Sequence, residues 1–134
     1  MRKIVILIAF TCNFSLSIAQ TQLSMSTEAC NNYQQVDEEL NSLYKQILKD
    51  TRYSNNKPFL SALKTAQTNW IKFRDASIDA KFPGLDKKKQ YGSVLTMCSC
   101  AFLTELTLKR IDELKIWIQG TPEGDVCAGS VKNQ

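Results

Sequence analysis

Apolar residues return along this chain at spacings of three and four, the period of a helix face, and almost nowhere in strand alternation. A first helix is predicted from about Thr27 to Asp50, with Tyr33, Val36, Leu40, Leu43, Tyr44, Ile47 and Leu48 on one face. Ser26 is placed to cap it and Glu28 suits its first turn. The polar, Asn-rich stretch Arg52 to Lys57 reads as a loop. A second helix starts near Pro58, carries the stripe Phe59, Leu63, Ala66, Trp70 and Phe73, and stops at Pro83-Gly84. Leu85 to Gly92 reads as a loop whose run Lys87-Lys88-Lys89 is solvated charge. Gly92-Ser93 opens a third helix to about Gln119, with Leu95, Cys98, Phe102, Leu106, Leu114 and Trp117 inward and Ile111 and Ile118 on an outer line. Short connections make an all-α, up-down-up antiparallel three-helix bundle the expected fold.

The N-terminus reads as an address. Arg2 and Lys3 precede the apolar run Ile4 to Phe10, and Ser17 and Ala19 supply the small residues of a cleavage site. That is the layout of a secretory signal peptide over residues 1–19. The apolar stretch is short and broken by Asn13 and Ser15, which disfavours an uncleaved anchor. Ala9-Phe10-Thr11 is a poor approach to lipidation at Cys12. The expected organisation is a signal peptide (1–19), one helical domain (20–119) and a C-terminal tail (120–134). The expected location is secreted or periplasmic.

Composition narrows the functional classes. The net charge is +4, and losing Arg2 and Lys3 lowers it to +2, so no general nucleic-acid or anionic-membrane binder is expected. The chain has no histidine, which excludes His-based triads and His-ligated metals. Cys30, Cys98, Cys100 and Cys127 remain after cleavage, the arithmetic of two disulfides in an oxidising compartment. With Cys98 on the inner stripe, the preferred pairing is Cys30 with Cys98, and Cys100 with Cys127, so that the tail is tethered along the third helix. Turning that helix so that Ile111 and Ile118 face the first one gives Cys30 with Cys100 and Cys98 with Cys127. A Cys98–Cys100 bridge needs a non-helical start to the third helix.

Several polar side chains sit on or beside the apolar stripes: Asp37, Asn41, Gln67 and Arg74. In an up-down-up bundle Asp37 and Arg74 stand at the same height, and Tyr44, Gln67 and Arg110 form a second level. A buried network that fixes register, or a polar ligand site between helices, would use these residues. Asp37-Glu38-Glu39 and Asp112-Glu113 do not converge as paired catalytic carboxylates, because adjacent helical residues point about 100° apart. Cys98 and Cys100 diverge too far for a shared metal site. No catalytic residue, metal or cofactor is expected.

Three segments resemble one family. They are Cys30-Asn-Asn-Tyr33 with Asp37-Glu-Glu-Leu40-Asn41-Ser-Leu-Tyr44, then Ala66-Gln67-Thr-Asn-Trp70-Ile-Lys-Phe73-Arg74-Asp75, then Leu106-Thr107-Leu-Lys-Arg110-Ile-Asp-Glu-Leu114. Together they are similar to the small secreted helical domain named after the lysozyme inhibitor LprI. The family pattern carries a cysteine after the Arg-Asp pair and another early in the third helix; Ile78 and Phe102 stand there in this chain, so packing replaces that bridge. The resemblance implies an exported bacterial helical binding or envelope module without cofactor, in its specific form an inhibitor of lysozyme or a related wall-lytic enzyme. The implied partner is a protein, with no nucleic acid and no stable membrane insertion. The alternative is a structural or assembly protein of the envelope with no enzyme target. A third reading is a small-ligand binder at Asp37, Asn41 and Arg74, which needs an open pocket beside Arg74.

Overall fold

The computed structural model describes residues 2–133, with side chains described from residue 21 onward. The expected signal peptide and its cleavage site lie outside the described side chains. The elements are α1 (Arg2–Lys49), α2 (Lys57–Lys81), a short α3 (Lys87–Tyr91), a 3-10 turn (Gly92–Val94) and α4 (Leu95–Gln119). No strand occurs among the described residues, only one isolated bridge between Thr121 and Asn133.

Cross-helix contacts fix how the helices run. Cys30 meets Cys100, and Tyr53, just past α1, meets Trp117, so α1 and α4 ascend together. Asp37 meets Arg74, and Gln67 meets Arg110, so α2 runs against both. The core is Val36, Leu40 and Ile47 from α1, Phe59 and Leu63 from α2, Ile111 and Leu114 from α4, and Tyr53 from the α1–α2 turn. Burying each of these side chains stabilises the fold by about 1.5–3 kcal/mol.

Helix ends differ from the sequence expectation in three places. First, α1 is already helical before Thr27, so Ser26 lies buried inside the helix and caps nothing. Second, the lysine run is not a loop: Asp86 caps α3 by accepting from the Lys89 N–H at 3.0 Å, and Lys87 pairs with Asp79. Third, a 3-10 turn occupies Gly92–Val94, and α4 begins at Leu95. For α2 the Asn56 side chain accepts from the Phe59 N–H at 3.2 Å, with Pro58 in the first turn.

The largest correction concerns the rotation of α4. Its buried line is Thr104, Thr107, Ile111 and Leu114, at spacings of three and four. Ile111 is therefore core rather than outer strip, while Phe102 and Leu106 are only half-buried. The reason is steric and polar at once. Thr104 and Thr107 are short, and each hydroxyl donates to the carbonyl four residues back, at 3.0 Å to Cys100 and 2.7 Å to Leu103. The line is therefore small and fully hydrogen-bonded, and α1 packs more closely on it than on α2.

That rotation decides the disulfides. Cys100 continues the buried line and bonds to Cys30, Cα to Cα 4.9 Å. Cys98, about 200° away around the helix, points elsewhere. Cys98 and Cys127 are free thiols, so neither Cys30–Cys98 nor Cys100–Cys127 forms and the tail is not disulfide-tethered; of the turned-helix alternative, Cys30–Cys100 forms and Cys98–Cys127 does not. Hydrogen bonds hold the tail instead. The Trp117 indole donates to Ser130 Oγ (3.1 Å), the Lys132 N–H donates to the Tyr53 hydroxyl (3.3 Å) and the Thr121 N–H donates to the Lys132 carbonyl (3.1 Å).

On α2 the inward line is Phe59, Leu63 and Gln67, extended by the half-buried Trp70 and Arg74. Ala66 and Phe73, placed in the stripe by sequence, are exposed, and Phe73 is 58 % accessible. Leu48 on α1 is likewise at the surface. Ile78 and Phe102 are both half-buried, with the Lys81 ammonium 3.9 Å from the Phe102 ring centroid. The stretch Lys87–Gln119 is long and apolar enough to cross a membrane by length and composition. Here it packs on α1 and carries Lys109, Arg110, Asp112, Glu113 and Lys115.

Candidate functional site

The family-like signature of α2 places a cluster of charge around one aromatic ring. Trp70 lies between two guanidinium groups, Arg74 at 5.5 Å and Arg110 at 5.9 Å from its centroid. Arg74 sits one turn after Trp70 on the same helix and Arg110 reaches in from α4.

Each arginine is paired with a carboxylate. Arg74 Nη1 donates to Asp37 Oδ1 on α1 at 2.9 Å, and its Nε donates to Asp75 Oδ1 at 3.0 Å. Asp37 is held in turn by Asn41, whose Nδ2 donates to Asp37 Oδ2 at 3.0 Å and to the Asp37 carbonyl at 2.8 Å. Arg110 Nε donates to the buried Gln67 Oε1 at 3.1 Å, and its Nη1 donates to Glu113 at 2.8 Å. Burial raises the Tyr33 phenol above its ordinary pKa, opposed by Arg74 and assisted by Asp37 and Asp75.

The sequence-predicted residues divide accordingly. Asp37, Asn41 and Arg74 meet in one layer and Gln67 and Arg110 in the next. Tyr44 joins neither; its side chain packs against the core, which corrects the second layer. Trp70, Glu113 and Tyr33 also belong to the cluster, although the sequence pattern places Trp70 and Tyr33 on apolar stripes and Glu113 among non-convergent acids. Trp70 was read as core because an aromatic at helical spacing usually is; the signal that marks it is an arginine one turn away on its own helix.

The arginine side chains are 15 % and 12 % accessible, while Asp75 is 62 % and Glu113 59 % accessible. The cations are inside, Asp75 and Glu113 are outside, and Asp37 is half-buried between them. That arrangement fixes helix register and displays acid, with the guanidinium groups mostly covered. An open groove of about 870 Å³ lies elsewhere, along Ser24, Glu28, Asn32 and Met97 at the disulfide end. Among the described residues no three His, Cys, Asp or Glu side chains come together to hold a metal.

A family model described as lysozyme inhibitor LprI matches residues 12–114. No curated protein and no solved structure matches the chain. The matched region takes in both polar layers and the Cys30–Cys100 bridge and ends before the tail.

Proposed function

The chain belongs to the lysozyme inhibitor LprI family, and from that premise we propose that it is an exported binding module that holds a wall-lytic enzyme such as a lysozyme in an inactive complex. The family is one of inhibitors rather than enzymes, and the match over residues 12–114 is the observation that carries the proposal. The polar cluster is consistent with it. Its ionic groups are paired with one another, as in a scaffold that keeps three helices in register for recognition. The Cys30–Cys100 bridge fits an extracytoplasmic location. In this proposal residues 1–19 direct export and are removed, residues 20–119 form the binding domain, and residues 120–134 form its tail. The mature chain is then secreted or periplasmic.

The test is the clearing of a peptidoglycan suspension by egg-white lysozyme with increasing amounts of the purified chain. Clearing should stop once the chain is in excess, and the two proteins should co-elute in size exclusion. Undiminished clearing with separate elution contradicts the proposal and leaves the alternative, an envelope protein that serves assembly without an enzyme target.

A further inference from the structure

The family match ends at residue 114, and beyond the end of α4 the chain forms a closed loop. We infer that the closed loop Thr121–Asn133 is the element that enters the partner, with Val126 as its apolar anchor; this rests on the binding function proposed above.

Three observations carry it. First, the base is shut. Thr121 and Asn133 bridge, the Thr121 N–H donates to the Lys132 carbonyl, and the Lys132 N–H is held by the fully buried Tyr53. The loop thus begins and ends at one point of the core, the form of an Ω-loop. Second, the span is braced from within. Asp125 N–H donates to the Pro122 carbonyl (3.3 Å), Ala128 N–H to the Asp125 carbonyl (3.2 Å) and Val131 N–H to the Ala128 carbonyl (2.9 Å). The Asp125 carboxylate also accepts from the Cys127 N–H at 2.9 Å. Third, this braced span holds Val126 at 98 % accessibility, with Cys127 exposed beside it. A branched apolar side chain fully in water contributes nothing to the fold. Its burial in a partner's pocket does contribute, and a loop already ordered loses little conformational entropy on docking.

Charge names the kind of partner. Within Thr121–Asn133 the charged residues are Glu123 and Asp125, both acidic and within three residues of Val126, and Lys132, whose backbone closes the base, on a chain whose net charge is +4. Whole-molecule charge therefore does not draw a basic protein, but this loop does so locally. The fitting partner is a basic protein with an apolar pocket beside a cationic rim.

The experiment uses egg-white lysozyme, a strongly basic protein, and four proteins: the unaltered chain, Val126→Asp, Val126→Ile and Glu123→Lys. Val126 is solvated, so the thermal midpoint of Val126→Asp should equal that of the unaltered chain, which separates loss of binding from loss of fold. The inhibition constant should rise about tenfold or more for Val126→Asp and stay unchanged for Val126→Ile. Glu123→Lys should weaken inhibition about threefold at low salt, with the difference vanishing at high salt. Equal potency of the unaltered chain and Val126→Asp overturns the loop assignment and leaves the inhibitor function standing. If the unaltered chain neither binds nor inhibits, both fall.

Discussion

The Tyr53 hydroxyl donates to the Trp117 carbonyl at 2.9 Å and accepts from the Lys132 N–H at 3.3 Å, joining the α1–α2 turn, the end of α4 and the tail. Its ring is fully buried, 4.7 Å from Phe59, and Phe59 in turn lies 5.9 Å from Trp117. Arg52, paired with Asp50, donates to the same Trp117 carbonyl (3.2 Å) and to that of Ile118 (3.1 Å), satisfying the open end of α4.

Tyr53→Phe removes one hydroxyl and leaves the Lys132 N–H unpaired, while Arg52 still serves the Trp117 carbonyl. Urea unfolding should show a loss of about 1–2 kcal/mol. Limited proteolysis should cut the tail sooner than in the unaltered chain. An unchanged cleavage rate would mean that Tyr53 does not hold the tail.

Removing the bridge is more costly. Cys30 and Cys100 are separated by 70 residues, and opening a loop of that size costs about 4 kcal/mol through the unfolded state. Cys100→Ser should lose that stability, whereas Cys98→Ser should keep the bridge and most of it. Non-reducing peptide mapping of both variants checks the pairing; loss of the Cys30 cross-link in Cys98→Ser would reverse it.

Arg74→Ala deprives Asp37 of its cation. Asp37 is 32 % accessible, so water offsets part of the loss, and the cost should be about 1–2 kcal/mol rather than that of a fully buried pair. In a double-mutant cycle with Asp37→Asn the two changes should be clearly non-additive. Strict additivity in urea unfolding would show that the pair contributes nothing.

Acid should act through Asp50. Hydrogen bonds from the Arg52 side chain, then from its backbone N–H, hold the Asp50 carboxyl below its ordinary pKa. A carboxylate depressed in the folded state stabilises fully above its unfolded pKa and loses that contribution as pH falls through the folded value. The stability gap between the unaltered chain and Asp50→Asn should therefore be constant above about pH 5 and close as the medium is acidified. A gap that does not narrow at all on acidification contradicts this role for Asp50.

Much of this was legible in the sequence, for reasons particular residues show. Asp37 and Arg74 could be set level from the constant helix rise, and they do pair, although α1 has no end at Thr27 from which to count. The rotation of α4 was legible only as the less favoured of two arrangements. Apolar residues lie on several of its faces, and Thr104 and Thr107 count as polar until their hydroxyls are seen bonded within the helix. The disulfide error follows from that rotation alone. Gln67 was visible as a candidate, but its place on the core line was masked by Ala66 next to it. Tyr53 was hidden in an otherwise polar loop, since burial there comes from the end of α4 and the tail, more than sixty residues away in sequence.

The central claim is that the chain acts by forming a stoichiometric complex with a wall-lytic enzyme. Titrating a fixed amount of egg-white lysozyme with the chain and plotting residual activity against molar ratio tests it most directly. The predicted result is a fall that levels off near equimolar addition, independent of incubation time, with both proteins recovered at unchanged mass. Activity that is untouched at a large molar excess, or that decays with time at trace amounts of the chain, would contradict it.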